Sequence, residues 1–175
     1  MPIRWQLFPR FLVPPAHIRQ LVGAFEASQA QIATPANQLN SNQVLEIVRP
    51  HLEAIEFEVE TGKGAGKMVE RPVLFGLDGR AEKSFRVDGF HAPSGTVLEV
   101  EAGRAVVNHQ FLKDLFEACA IQDAEYLAIA VMNEYRPPSA ASSANDFATV
   151  STFIDTLYAS GRLALPLKGV LVIGY

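Results

Sequence analysis

Residues 86–104, Arg-Val-Asp-Gly-Phe-His-Ala-Pro-Ser-Gly-Thr-Val-Leu-Glu-Val-Glu-Ala-Gly-Arg, constrain the fold more than any other part of the chain. Side chains of a strand alternate between faces. In the segment Lys83 to Phe90 this puts Phe85 and Val87 on one face and Arg86 and Asp88 on the other. In Thr96 to Glu101 it turns Leu98 and Val100 towards a core, with Glu99 and Glu101 sharing the opposite face. Between the segments, Ala92 to Thr96 contains Pro93 and Gly95, which suits a turn that sets two strands side by side. The expectation is a pair of adjacent strands with Asp88, Glu99 and Glu101 gathered on one sheet face.

Three acids crowded together repel each other unless a cation sits among them. Hard oxygen donors of this kind suit Mg²⁺ or Mn²⁺ better than zinc, and such a cluster is the starting point of a metal-dependent phosphodiesterase site. The competing reading is that acids on an exposed hairpin face only keep that face hydrated.

The remaining chain reads as alternating helices and strands. Met1 to Pro14 is apolar but broken by prolines, an extended arm or edge strand. Helices are predicted from Ala16 to about Gln31, and over a stretch with Val44, Ile47, Val48, Leu52 and Ile55 at helical spacing, capped by Ser41 or Asn42. Pro50 must kink that second helix or start its second half. Short strands are predicted at Phe57 to Glu60 and Pro72 to Phe75. A helix over Ala105 to Ile121 would bury Val107, Phe111, Leu112, Leu115, Phe116 and Cys119, and a strand follows at Tyr126 to Met132. Asp146 would cap a helix ending at Gly161. Gly169 to Gly174 is an apolar run of the kind buried on both faces of a sheet. The class is mixed α/β, and 175 residues without an internal repeat read as a single domain.

Other features exclude more than they suggest. The formal charge of −4 gives no general affinity for nucleic acid. The lone Cys119 has no partner for an internal disulfide, and no His and Cys spacing fits zinc. Gly62-Lys-Gly-Ala-Gly-Lys67 is too short for a phosphate loop, and Met68 stands where Ser or Thr would bind Mg²⁺. Its Lys63 and Lys67 are instead candidates for touching a DNA backbone or for a solvated loop tip. Arg104, Asn108 and His109 are placed at a helix start, where the dipole favours anions, or simply cap and solubilise that start. Ser142 and Ser143 have no partner pattern for a hydrolase. Prolines interrupt any N-terminal signal segment, and nothing approaches the length of a membrane span, so a cytoplasmic protein is expected.

The order helix, three-strand meander, helix, strand, with Asp88, ten intervening residues and then Glu99-Val100-Glu101, resembles the PD-(D/E)XK nuclease superfamily over about residues 43 to 135. Glu101 stands where that motif usually has lysine, and the sequence is most similar to the type II restriction enzymes that carry Glu or Gln there. The resemblance implies a restriction-endonuclease-like αβββαβ core, preceded by an N-terminal helix and followed by a C-terminal helix and strand. It implies a DNA endonuclease, dimeric because two sites cut two strands, using Mg²⁺ or Mn²⁺. Asp88, Glu99 and the Val100 carbonyl would hold the metal, and Glu101 would orient or deprotonate the attacking water. A further acid would come from the preceding helix, Glu53 first and Glu46 second. Absence of the lysine also admits a fold that has lost its chemistry and serves as an interaction or assembly protein.

Overall fold

The computed structural model describes residues 1–62, 64, 66–103, 105–107, 109–135 and 143–175. The chain runs β1 (Arg4–Phe8), α1 (Ala16–Ile32), α2 (Ser41–Glu53), β2 (Glu58–Val59), β3 (Val69–Phe75), β4 (Ala81–Val87), β5 (Gly89–His91), β6 (Thr96–Glu101), α3 (Gln110–Ala120), β7 (Tyr126–Val131), α4 (Asp146–Ser160) and β8 (Gly169–Gly174). It is a mixed α/β fold, as expected. The αβββαβ order is traced by α2, β2, β5, β6, α3 and β7.

Six strands form the central sheet in the order β1-β8-β7-β6-β5-β2. β6, β7 and β8 are parallel to one another, whereas β5 joins β6, β1 joins β8 and β2 joins β5 antiparallel. β8 is buried at every residue because it lies inside the sheet with helices over both faces. On one face Leu98, Val100, Ala128, Ala130, Leu171 and Ile173 pack beneath α1 and α2. On the other, Val97, Leu127, Ile129, Val131, Val170 and Val172 pack beneath α3 and α4. Glu99 and Glu101 share the face of Val97, so they project under a helix layer and not into open solvent.

Local chemistry explains most boundaries. α2 begins one residue earlier than predicted, because Asn40 accepts from the Gln43 N–H at 3.0 Å while the Gln43 side chain accepts from the Asn40 N–H at 3.0 Å. Helix continues through Pro50, which carries no break. α4 is capped by Asn145, whose Oδ1 accepts from the Ala148 N–H, so Asp146 is its first residue and not its cap. Gly161 closes α4 at φ +60°, a conformation that suits glycine.

Two predicted spans are corrected. Lys83 to Phe90 is not one strand: β4 leaves the central sheet to pair with β3 in a separate two-stranded ribbon, and β5 rejoins the sheet. Asp88 alone separates them. The helix after the acids starts at Gln110, five residues later than expected, and its buried face is Phe111, Asp114, Leu115 and Ala118. Val107 and Phe116, expected inside, are 64% and 62% exposed. No helix of the described residues is long and apolar enough to cross a membrane.

Candidate carboxylate site

Asp88 is held where the ribbon meets the sheet. Its Oδ2 accepts the Val100 N–H at 2.8 Å. Its own carbonyl accepts the Glu60 N–H at 2.8 Å, which ties β2 to the same point. The N–H and C=O of one strand residue point to the same edge, so the Val100 carbonyl lies on the Asp88 side. Next to Asp88, Gly89 and Phe90 pair with Leu98 and Val97, which brings Asp88 level with the end of β6 that carries Glu99 and Glu101. These positions are the carboxyl end of the parallel strands β6, β7 and β8, where α/β sheets commonly open their crevices. At that end the Tyr175 hydroxyl donates to the Glu101 backbone carbonyl at 2.9 Å.

α3 lays two further charged groups over these acids. Asp114 is 3% exposed, and its Oδ2 has no hydrogen-bond partner among the described residues. Lys113, beside it, reaches Glu117 at 3.2 Å and Asp114 at 3.9 Å. The electrostatics bind the group together. Burial lifts Asp88 to about 6, opposed by its bond from Val100 and assisted by the charge of Glu60. Burial, then the charges of Asp88 and Asp114, hold Glu99 well above the ordinary carboxylate range, with Lys113 pulling the other way. Burial and the charge of Glu101 push Asp114 to about 8. Burial works against the Lys113 charge, but Glu117, Asp114 and Glu99 outweigh it and keep its pKa above the usual lysine value.

The cluster is therefore Asp88, Glu99, Glu101 and Asp114, with Lys113 as its cation. Asp114 and Lys113 were missed in the sequence. The signal was present: Phe111, Leu115 and Ala118 mark the apolar stripe of α3, and Asp114, at i+3 from Phe111, falls inside it.

The other expected residues are distributed as follows. Glu53 ends α2 and is exposed, and its side chain makes no hydrogen bond or ion pair among the described residues. Glu46 shares its helix face but lies seven residues earlier, roughly 10 Å along the axis, and lines a cleft with Arg49, Glu60 and Thr61. Lys67 is exposed in the loop after β2, its carbonyl accepting from the Thr61 N–H. His109 precedes α3 at φ +50° and lines an apolar groove shared with Thr152, Phe153 and Thr156 of α4. His91 packs away from the acids, its ring 5.1 Å from that of Phe57 and its Nδ1 2.6 Å from Ser94 Oγ. Lys63, Arg104, Asn108 and Ser142 lie outside the described residues.

Among the described residues, no three His, Cys, Asp or Glu side chains are grouped to cage a metal. Mg²⁺ does not demand such a cage: it is usually held by one or two carboxylates and keeps several waters. Asp88, whose charge raises the pKa of Glu99, a main-chain carbonyl at the same edge and an Asp114 oxygen without a hydrogen-bond partner among the described residues fit that kind of binding.

No family model matches the chain, and no curated protein matches it. Among solved structures it is similar to the crystal structure of free BglII, with 12% identity over 99% of this chain and 79% of that one, at a TM-score of 0.47. A likeness that loose bears on neither activity nor site residues.

Proposed function

We propose that the protein is a metal-dependent nuclease that hydrolyses DNA phosphodiester bonds, of the PD-(D/E)XK kind that carries Glu in place of the motif lysine. The observation that carries this reading is the carboxylate cluster: Glu99 and Asp114 sit between sheet and helix, largely withdrawn from water, and the charges of neighbouring acids raise the pKa of both. Burying so many like charges costs stability unless function demands it.

In this reading Asp88, Glu99 and the Val100 carbonyl hold one Mg²⁺ or Mn²⁺. The ion supplies a water of lowered pKa and neutralises charge on the phosphoryl oxygens. Glu101, two residues along β6 and on the same face as Glu99, orients the attacking water and accepts its proton. Asp88 is held through Oδ2 by its Val100 bond, which leaves its other oxygen for the ion. Lys113 provides a permanent positive charge for the negative charge that builds in the transition state, from a helix and not from the motif strand. Glu46, at the cleft that holds Glu60, is better stationed than Glu53 to add an acid from α2. Two copies of the chain would be needed to cut both strands together.

The experiment is cleavage of supercoiled plasmid in Mg²⁺ or Mn²⁺ by wild type and Glu99→Ala. Nicking that requires both the ion and Glu99 is expected. If neither ion supports nicking, and calorimetry finds no ion binding that Asp88→Ala abolishes, the chain is a protein that keeps this fold without the chemistry.

A further inference from the structure

The β3–β4 ribbon stands apart from the central sheet and has no part in the chemistry above. Its base is anchored: Val69 and Val87 are each 2% exposed, and Arg71 lies over the Phe90 ring while pairing with Asp123. Its far end is not. Leu74, Phe75 and Leu77 are 57%, 55% and 88% exposed around the turn closed by the Gly76 N–H to the Arg80 carbonyl. A strand of seven residues reaches roughly 23 Å, enough to lie along a nucleic-acid groove. Register shifts at Pro72, Leu74 and Phe75 twist the ribbon and spoil its edge for pairing with another strand.

Charge selects the occupant. Residues 61–87 hold six of the chain's 15 Lys and Arg against three of its 19 Asp and Glu, a net of +3, so the rest of the chain carries −7. Between β4 and α3 runs an open groove of about 440 Å³, lined by Lys83, Arg86, Lys113 and Glu117 among others. The Lys113 ammonium stands 3.9 Å from Asp114, so this groove opens beside the carboxylate cluster. Arg86 spends its charge on an exposed pair with Glu70 at 3.2 Å. Exposed pairs of that sort are weak and readily exchanged for phosphate.

We propose that the β3–β4 ribbon is a duplex-gripping arm: Lys83 and Arg86 hold the phosphate backbone in the groove beside the carboxylates, and the Leu74, Phe75 and Leu77 crest enters a DNA groove as an apolar wedge. The proposal rests on the phosphodiesterase reading for its substrate, and it adds the element that presents that substrate. Ribbons with apolar ends that part base steps are an established way to hold DNA.

The test uses the full chain, a fluorescent DNA duplex and a titration of NaCl in EDTA, so that binding is read without cleavage. Lys83→Ala with Arg86→Ala removes two phosphate contacts and flattens the slope of log Kobs against log salt by about 2. Leu77→Ser leaves that slope intact but abolishes the brightening of a 2-aminopurine base that the wild type unstacks. All three side chains are exposed, and unchanged thermal melting confirms that the variants fold. An unchanged salt slope overturns the arm, as does a Leu77→Ser variant that loses self-association in light scattering while binding DNA as before. Arm-dependent binding without plasmid cleavage in Mg²⁺ sinks the phosphodiesterase reading and leaves the arm standing. Cleavage by a double variant whose salt slope equals that of wild type does the reverse.

Discussion

The Val100 N–H donates to Asp88 Oδ2 at 2.8 Å, so a side chain takes the place of a ladder carbonyl where β5 gives way to the ribbon. One bond thus fixes the first acid against the strand that bears the other two. Asp88→Ala leaves that N–H without its partner and removes a carboxylate from the cluster. Cleavage is expected to fall by about 10²–10³, and Mg²⁺ binding by calorimetry should vanish. Asp88→Asn keeps a hydrogen-bond acceptor, so its melting temperature should stay nearer that of wild type while activity is lost equally. An active Asp88→Asn would remove Asp88 from the chemistry.

Metal-free stability should fall as pH rises from 4 to 8. Asp88 and Asp146 are raised to about 6 and Asp114 to about 8, against an ordinary Asp value of 3.8. Across that window the folded state holds protons that the unfolded state has released, so raising pH favours unfolding. His17 and His91, both lowered chiefly by burial, act in the opposite sense below their ordinary value of 6.5. Melting in EDTA at pH 5 and pH 8 checks the balance, and Mg²⁺ should raise the melting temperature at pH 8 far more than at pH 5. Equal effects of Mg²⁺ at both pH values would show that it does not bind these acids.

Asp114→Asn should stabilise the metal-free protein at pH 8 by about 1–3 kcal/mol, the scale of an unsatisfied buried group. The isosteric amide carries no charge to desolvate. The same variant should weaken metal binding, because it lowers the negative charge shared by Glu99 and Glu101. Chemical denaturation with and without Mg²⁺ separates the two effects; a destabilised variant would mean that Asp114 has a partner role in folding.

Lys113→Gln should move the acid limb of the pH–rate profile upward, because Lys113 is the charge that lowers Asp88, Glu99 and Asp114. Lys113→Arg keeps the charge and should leave the limb in place. An unmoved limb in Lys113→Gln would confine this lysine to its surface pair with Glu117.

Gly95 sits at φ +62° in the turn joining β5 to β6, and an added Cβ would lie 2.5 Å from the Asp123 carbonyl. The backbone cannot yield as a side chain would. Gly95→Ala should cost about 1–2 kcal/mol for the left-handed conformation alone, and more for the contact. Its melting temperature tests this, with wild-type stability the result that would show the turn can shift.

How much of this was legible follows from what alternation and spacing can encode. The common face of Glu99 and Glu101 follows from a period of two, and the doubly buried β8 from an unbroken apolar run. The break at Asp88 was hidden, since Phe85, Val87, Arg86 and Asp88 keep alternating up to the point where the chain changes sheets. Only the Val100 bond, made twelve residues away, explains why the strand stops there. Asp114 was obscured because the buried face was drawn through the apolar residues alone: Phe116 was counted inside for its hydrophobicity, and the acid on the Phe111, Leu115 and Ala118 stripe was passed over.

With Asp88 the only residue between β4 and β5, the ribbon and the sheet share a joint one residue wide. On the β4 side, the chain changes direction within the φ and ψ angles of Asp88 and its immediate neighbours. Val100 clamps the carboxylate at that joint from the sheet side. The turn of the chain out of the sheet and the hold of the first acid on β6 thus fall on one and the same residue.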